Sequence, residues 1–413
     1  MPSTSEKDTR TSSASSDAME VLLDFGALMM RAGNTATRTR EWIEAIALKM
    51  DFDATSISLS LDSITASARR SGERVTAMRE IGPPGINVWR IAELEVLARA
   101  PVSTNEIAAR LEEIELSKPL YSSAQISTAV GVASGAFAFL IGAATPEMIA
   151  AAIGGGIGQW MRSWMISRQS NQYGAATLSA IIATGLYVLG AAIAQHAGFQ
   201  FTHYPAGFIA SVLFLIPGFP LVAALFDLLQ LQTVAAVSRF AYGLMILLAV
   251  ALGLSLVIAV AGIDLSRQPP VELAYPPTLL LRAVASFIAA GALAMLFNSS
   301  PRTVLAVGLL AVGANSLRLL LNDMGMMLAP AAFLAALAIG LAALTVEQRF
   351  NGPRMAMVVA PVVIMMPGIY AYEMIALFDR GPILDALQAS AVCGFVVGAL
   401  AMVLATARFF IRR

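Results

Sequence analysis

The segment VVIMMPGIYAYEM, residues 362–374, lies in one of the most apolar parts of this chain, yet a Pro-Gly pair interrupts it and two tyrosines and a carboxylate follow. Proline removes a helical hydrogen bond and glycine leaves helical dihedrals easily, so the pair predicts a break in a helix. Within a bilayer such a break is stable only where protein or a water-filled cavity satisfies the freed backbone groups. The segment therefore indicates an internal site in a membrane protein.

The composition of the 413 residues is that of a membrane protein, because 57% are hydrophobic, 13% are charged and the mean hydropathy is +0.72. Globular domains carry about 25% charged residues. Residues 1–120 hold 18 of the 27 acidic and 14 of the 27 basic residues. A soluble portion therefore precedes a membrane portion. A net charge of zero without a basic run excludes nucleic-acid binding.

The soluble portion is predicted to be a small α+β domain, residues 17–120, after a polar disordered tail, residues 1–16. Apolar residues recur at helical spacing from Asp17 to Met50, with Gly33 interrupting the pattern. This spacing predicts two amphipathic helices with a break at the glycine.

Two extended runs follow, at residues 56–68 and 75–81, and their alternation predicts a two-stranded hairpin. Two further helices come next, the second with a capping box made by Ser103 and Glu106. The domain has no histidine or cysteine, which argues against a nucleophilic active site. A docking or regulatory role is expected instead.

The membrane portion contains ten apolar segments of about 20 residues, the length that crosses a bilayer. Ten lysines or arginines lie near the span ends on the side of the soluble domain, and four lie near the span ends on the opposite side. This distribution of positive charge predicts that both termini are cytoplasmic. The protein is thus expected in the lipid of the inner membrane. Spans one to five form a first half, residues 121–262, and spans six to ten a second half, residues 278–413. The predicted spans are 122–143, 146–166, 173–195, 206–227, 235–262, 278–297, 302–321, 326–346, 354–378 and 385–409.

The two halves share unusual features at the same positions. The fourth span contains VLFLIPGFPLVAALFD, residues 212–227, which matches residues 362–379 of the ninth span in its Pro-Gly pair and its final Ala-Leu-Phe-Asp. In the second span a glutamine precedes an arginine by three residues, as an asparagine does in the seventh. Because each half has an odd number of spans, these matches predict two inverted repeats with broken helices four and nine, the plan of many secondary transporters.

The two breaks define a predicted substrate site near the middle of the bilayer, about 16 Å along the fourth span and about 20 Å along the ninth. A helix that resumes after a break directs its N–H groups and its positive dipole end at a ligand, which suits a carboxylate. The substrate is therefore expected to be small and anionic or zwitterionic. A simple proline kink is the alternative. The predicted binding residues are Pro217, Gly218, Phe219, Pro367, Gly368, Tyr370, Gln159, Asn315, Arg162 and Arg318.

Carboxylates inside a membrane are costly and suggest function. Glu373 is the leading candidate for proton coupling, and Asp227 and Asp379 are further candidates. These two lie near opposite faces, where they gate the path or only cap the ends of spans. Arg162 and Arg318 contact a carboxylate or extend to the interface. With Cys393 as the single cysteine, no cofactor or metal is predicted.

Three local sequences resemble the threonine/serine exporter family in their order and position. They are LMMRAGNTATR with Gly33 and Arg38, GINVWRIAELEVL with Asn87, and the apolar segment at Pro217. The resemblance runs from about Asp17 to near the end of the chain and implies a cytoplasmic domain with two five-span halves.

One feature departs from the family pattern. Members usually carry an acidic residue shortly after the arginine of the first motif, whereas Thr39 and Arg40 precede Glu41 here, which puts a role of that polar cluster in doubt. The resemblance implies that threonine, serine or related metabolites are exported by the proton motive force.

Other functions stay open from the sequence alone. One alternative is an exporter of a small dicarboxylate such as succinate, which would need no amine-binding group in its site. Another is a passive channel, which would need a continuous polar lining. A third class is a membrane-anchored regulatory or enzymatic protein whose soluble domain acts. The oligomeric state is open too, with a homo-oligomer as one option.

Overall fold

The structure, a computed structural model, describes residues 4–70, 72–199, 204–262, 277–350, 354–365 and 383–411. The chain divides into two compact units. They are named after the sequence predictions: the soluble unit comprises residues 1–119 together with 223–241, and the membrane unit comprises residues 120–222 with 242–413. The stretch 223–241 groups with the soluble unit although it lies within the predicted fourth and fifth spans.

The soluble unit begins with two helices, α1 (Thr4–Arg31) and α2 (Ala36–Lys49). Gly33 between them has a φ of 98°, a left-handed conformation that glycine adopts without strain. The predicted pair of helices with a break at this glycine is confirmed. Helix α1 also includes residues 4–16, which differs from the predicted disordered tail. These residues contain neither glycine nor proline, so nothing in their composition stops the helix.

The sheet of this unit has three antiparallel strands in the order β1 (Ala54–Leu59), β2 (Ser63–Arg70) and β3 (Glu73–Glu80). The two-stranded prediction was wrong because the run at residues 56–68 folds back on itself. The Ser63 N–H donates to the Ser60 side chain at 3.1 Å, and the Ser60 N–H donates to the Ser63 carbonyl at 3.0 Å. Serine side chains of this kind favour a turn over a continuous strand.

Helices α3 (Val88–Arg99) and α4 (Thr104–Leu116) complete the soluble unit. The Asn87 side chain caps α3 by accepting the Arg90 N–H at 3.0 Å. The predicted capping box of α4 is confirmed, with Glu106 accepting the Ser103 N–H at 2.8 Å. The buried core includes Met19, Leu22, Phe25, Ile43, Ile46, Ile64 and Leu94.

The membrane unit is helical throughout the residues that are described. Helices α9 and α10 continue from this unit into the soluble one. The elements are α5 (Ser123–Leu140), α6 (Thr145–Ser167), α7 (Gln172–His196), α8 (Tyr204–Ala210), a 3-10 turn (Leu213–Leu215), α9 (Gly218–Leu229), α10 (Thr233–Ala261), α11 (Pro277–Leu296), α12 (Pro301–Asp323), α13 (Leu328–Phe350), α14 (Arg354–Val363) and α15 (Ile383–Ile411).

Among the described residues, five helices are long and apolar enough to cross a membrane, namely α5, α7, α10, α11 and α12. A sixth span results if the bent pair Pro205–Leu215 and Gly218–Leu229 is counted as one. Helix α6 contains Glu147, Gln159 and Arg162, which lower its hydropathy. The chain is thus a mostly helical protein with five or six candidate spans, and the count of ten stays a prediction.

The helices of the two halves make corresponding contacts within the membrane unit. In the first half α5 packs on α6, α6 on α7, and α8 on all three. In the second half α11 packs on α12, α12 on α13, and α14 on all three. Helices α5 and α11 also pack on each other. The same order of contacts in both halves is expected of an internal repeat.

Candidate functional site

The break in the fourth predicted span separates two helical pieces, Pro205–Leu215 and Gly218–Leu229, whose axes differ by 63°. A 3-10 turn ends the first piece, and in it the Leu215 N–H donates to the Val212 carbonyl at 2.9 Å. Pro217 then lacks the N–H that would continue the helix. The prediction of a broken helix at this proline is confirmed.

The first turn of α9 offers fewer free amides than the sequence predicts. The Gly218 N–H donates to the Ile216 carbonyl at 2.7 Å, and the Leu221 N–H donates to the Pro217 carbonyl at 3.1 Å. The residue after Phe219 is a proline, which has no N–H. The Phe219 amide is therefore the main donor at this end, together with the positive end of the helix dipole.

The glycine-rich face of α6 packs against the break. A Cβ at Gly154 would lie 2.3 Å from the Ala183 carbonyl oxygen and 3.5 Å from the Ser211 Cβ. A Cβ at Gly155 would lie 2.1 Å from the Ser134 hydroxyl and 3.3 Å from the Ser211 carbonyl. Close approach of helix backbones through small residues is typical of membrane proteins. The glycines bring α5, α6, α7 and the broken segment together.

Buried acceptors lie beside these glycines. A Cβ at Gly158 of α6 would lie 3.2 Å from the Phe214 ring of the 3-10 turn and 3.2 Å from the Ser179 carbonyl oxygen on α7. Gln159, which is 4% exposed, donates through Nε2 to Ser163 at 3.0 Å. In the described part of the chain the Gln159 Oε1 and the Ser179 hydroxyl have no hydrogen-bond partner. Two buried oxygens, one on α6 and one on α7, are therefore available to a donor.

Glu147, a residue that the sequence analysis overlooked, lies in the first turn of α6 and is 0% exposed. An ionisable group buried in a membrane segment is a functional candidate by default. The signal was present in the sequence, since this carboxylate is the second residue of the predicted second span.

The two polar residues predicted for the site in the seventh span, Asn315 and Arg318, contact each other. The Arg318 Nε donates to the Asn315 Oδ1 at 2.9 Å, and the Asn315 Nδ2 donates to the Ser286 hydroxyl on α11 at 2.8 Å. Both groups of the asparagine side chain are thus occupied. This pair fastens α12 to α11, whereas Gln159 of the first half keeps a free acceptor.

Arg162 lies one turn after Gln159 and within electrostatic range of the Tyr242 hydroxyl on α10. That hydroxyl donates to the Gln172 side chain at the start of α7, and its ring is 6.2 Å from the Tyr173 ring. The arginine therefore belongs to a polar cluster where the ends of α6, α7 and α10 meet.

The break also contacts the second half of the membrane unit. The Phe219 ring packs edge-on against the Phe297 ring after α11, with 5.3 Å between the centroids. On the other side, Gly243 of α10 leaves room for Leu221, whose Cδ2 would lie 2.8 Å from a Cβ at the glycine. The first turn of α9 thus packs against residues of both halves of the membrane unit.

Asp227 lies near the opposite end of α9 from the break. It is 0% exposed, forms an ion pair with Arg239 of α10 at 3.2 Å, and accepts the Ala36 N–H of α2 at 2.8 Å. These partners all belong to the soluble unit. The sequence analysis counted Arg239 only as a charge near a span end and did not foresee this contact.

The predicted site residues of the ninth span lie outside the described residues, so their geometry does not enter the site. Helix α14 ends at Val363, and the description stops at residue 365. The residues concerned are Pro367, Gly368, Tyr370, Glu373 and Asp379.

The soluble unit has a cavity of about 410 Å³ lined by α1, α4 and the end of β3. Four of its charged side chains form two ion pairs, Arg31 with Glu115 at 2.9 Å and Arg79 with Asp24. The pKa of the Asp24 carboxyl lies above its ordinary value, because burial raises this pKa more than the neighbouring Arg79 lowers it. No group of three or more metal-ligating side chains occurs among the described residues.

Comparison with protein families gives two matches. Residues 20–261 match the family described as "Putative threonine/serine exporter", and residues 282–410 match the family described as "Threonine/Serine exporter, ThrE". Searches of the curated proteins and of the solved structures found no match. Because the first match alone covers more than half of the 413 residues, the chain belongs to the threonine/serine exporter family.

Proposed function

We propose that this protein is a proton-coupled secondary transporter that exports small amino acids such as threonine and serine across the cytoplasmic membrane. The observation that carries the proposal is the 63° break in the fourth predicted span, which packs against the glycine face of α6. A discontinuous helix inside the membrane is the usual site of substrate binding in secondary transporters. Membership of the exporter family supports the same reading.

The groups around the break favour a zwitterion. The dipole end and the Phe219 amide at the start of α9 suit a carboxylate. The free acceptors on Gln159 and Ser179 suit an ammonium group, since a protonated amine is a donor only. A dicarboxylate would instead place a second negative group beside the Gln159 Oε1, which accepts hydrogen bonds and cannot donate one. The amino acid is therefore the better substrate.

Alternating access would arise from movement at the break, with the matching segment of the ninth span as the second moving part. The corresponding helix contacts of the two halves support a repeated architecture. We propose that the second copy is inverted and that both termini are cytoplasmic. Ten spans satisfy both conditions, because each half then crosses the membrane five times.

Proton coupling requires a carboxylate that titrates within the path. Glu373 retains this proposed role, and Glu147 joins it as a buried carboxylate on α6. Replacing the coupling residue by glutamine should abolish transport driven by a pH gradient but preserve exchange of substrate. The Glu147→Gln and Glu373→Gln variants test the two residues separately.

Counterflow in proteoliposomes tests the function. Labelled threonine, serine and succinate are compared with and without an imposed pH gradient. The proposal expects counterflow of threonine and serine, none of succinate, and stimulation by the gradient. Equilibration without counterflow would instead identify a channel, and succinate exchange would identify a dicarboxylate exporter.

The Gln159→Leu variant tests the ammonium site directly. A hydrogen bond to a charged group contributes about 1.5–3 kcal/mol, so the apparent affinity for threonine should fall by roughly 10-fold to 150-fold. Gln195→Leu, on the exposed end of α7, is the matched control. Equal affinities of both variants would remove Gln159 from the site.

A further inference from the structure

The connection from α9 to α10 is built into the soluble domain. Residues 223–241 group with residues 1–119, and Ala235 of α10 is a fully buried member of the hydrophobic core of that unit. The Arg40 side chain donates to Gln232 in this connection at 3.1 Å and to the Ile57 carbonyl at 2.9 Å. Apolar and polar contacts both attach the connection to the domain.

The centre of this attachment is a buried pair of charges. Asp227 is 0% exposed and Arg239 is 3% exposed, and their side chains form an ion pair at 3.2 Å. The carboxylate also accepts the Ala36 N–H, which lies at the N-terminus of α2. A negative charge at this end of a helix is stabilised by the helix dipole.

The arginine binds the loop that precedes α2. Its guanidinium donates to the carbonyls of Asn34 and of Gly33, the latter at 3.4 Å. The left-handed φ of 98° at Gly33 sets the direction in which the loop leaves α1. Arg239 thus binds carbonyls of the loop that joins α1 to α2, and Asp227 binds the first N–H of α2.

Helix α9 links this loop to the break. Helix α9 runs without interruption from Gly218 to Leu229, so Asp227 lies nine residues after the break on the same rigid helix. A rotation of α9 about Pro217 must either carry the loop with it or separate a buried carboxylate from its partners. Separating Asp227 from its partners is costly, because a buried charge without a partner is strongly unfavourable.

We infer that Asp227 and Arg239 are positioning residues through which the soluble domain holds the α9 half of the broken helix. The soluble domain thereby controls how readily the break changes its angle. This inference rests on the proposed transport at the break. It gives the soluble domain a role in the rate of transport, and it assigns Asp227 a structural partner in place of the proton that the sequence suggested.

The attachment is measured first without transport. Spin labels at Leu48 of α2 and Leu231 after α9, both exposed, are introduced into full-length protein with Cys393→Ala. The inference expects a narrow distance distribution that broadens in Asp227→Asn and in Arg239→Gln. The pair Arg110→Gln and Glu113→Gln, which removes an exposed ion pair of α4, is the control and should leave the distribution narrow. An unchanged distribution in the Asp227 and Arg239 variants overturns the inference.

Transport kinetics then separate positioning from proton transfer. In proteoliposomes, Asp227→Asn and Arg239→Gln should each change the maximal rate of threonine counterflow about tenfold. The apparent KM for threonine should stay nearly unchanged, and a pH gradient should still stimulate transport. Loss of gradient stimulation in Asp227→Asn alone would make it a proton carrier and overturn the inference, as would kinetics equal to the wild type. Absence of counterflow in the wild type would refute the proposed function, while the distance measurement would still report on the attachment.

Discussion

Gly154 marks a place where the fold depends on the absence of a side chain. Its Cα faces the Ala183 carbonyl of α7, and an added Cβ would lie 2.3 Å from that oxygen. The neighbour is backbone, so it cannot move aside by changing a rotamer. The packing of α6 on α7, and with it the wall of the site, requires glycine at this position.

The Gly154→Ala variant should therefore destabilise the protein by about 1–3 kcal/mol, the usual cost of overpacking. Gly185→Ala on α7 is the matched control, because nothing lies within 4 Å of its added Cβ. That control should be neutral or more stable by up to about 1 kcal/mol, since alanine favours a helix. Thermal unfolding in detergent measures both, and equal unfolding temperatures would contradict the packing described.

At this scale the sequence predicted residue types better than residue partners. It selected Gln159 and Asn315 as equivalents, and both are buried, but only Asn315 contacts its arginine. It identified Asp227 as an unusual charge without its partner Arg239. A contact across 12 residues and two helices follows from tertiary packing, which spacing along one helix does not encode.

The bent pair of helices is the element on which the proposed transport depends. Proline lacks the amide that a continuous helix needs, and the 3-10 turn before it uses the local carbonyls. The bend is therefore a property of the element itself and does not need a ligand. Such an element can change its angle with few hydrogen bonds lost.

Replacing both Pro217 and Pro220 with alanine should straighten the element, because each proline lacks the N–H that a continuous helix needs. Proline inside a helix is about 3 kcal/mol less favourable than alanine, which corresponds to a shift of roughly 100-fold toward the straight form. Spin labels at Ala206 and Leu229 in protein with Cys393→Ala should move further apart. Counterflow of threonine should fall while the protein remains folded, and an unchanged distance would show that the bend has another cause.

The elements were largely predictable from the sequence. The helix break at Gly33, the cap of α4 and the interruption at Pro217 all follow from local chemistry that proline, glycine and capping residues carry. The third strand was missed because the serines of residues 56–68 fit an extended strand and a turn equally well. The N-terminal start of α1 was missed because polar composition alone does not prevent a helix.

The whole molecule joins a soluble domain with an αβ core to a membrane unit in which two halves make corresponding helix contacts. This division into a soluble portion and a membrane portion was predictable from the uneven distribution of charged residues along the sequence. The grouping of residues 223–241 with the soluble domain was not visible, because α9 and α10 look like ordinary spans. Only their contacts at Asp227, Gln232 and Ala235 indicate the attachment.

The proposed ten-span topology predicts where each connection is accessible. Single cysteines at Ser170 and Leu231, in protein with Cys393→Ala, should react with an impermeant maleimide from the same side as a cysteine at Glu113. Cysteines at Phe199 and Met326 should react only from the opposite side. Labelling in right-side-out and inside-out vesicles measures this, and a reversed result at Met326 would reduce the number of spans in the second half.

The central claim is that a small amino acid binds at the break between the two pieces of the fourth predicted span. An experimental structure of the full-length protein with threonine bound tests it most directly. We expect density for threonine with its carboxylate at the Phe219 N–H and its ammonium group at the Gln159 side chain. Threonine bound elsewhere, with Pro217 and Gly218 facing lipid, would contradict it.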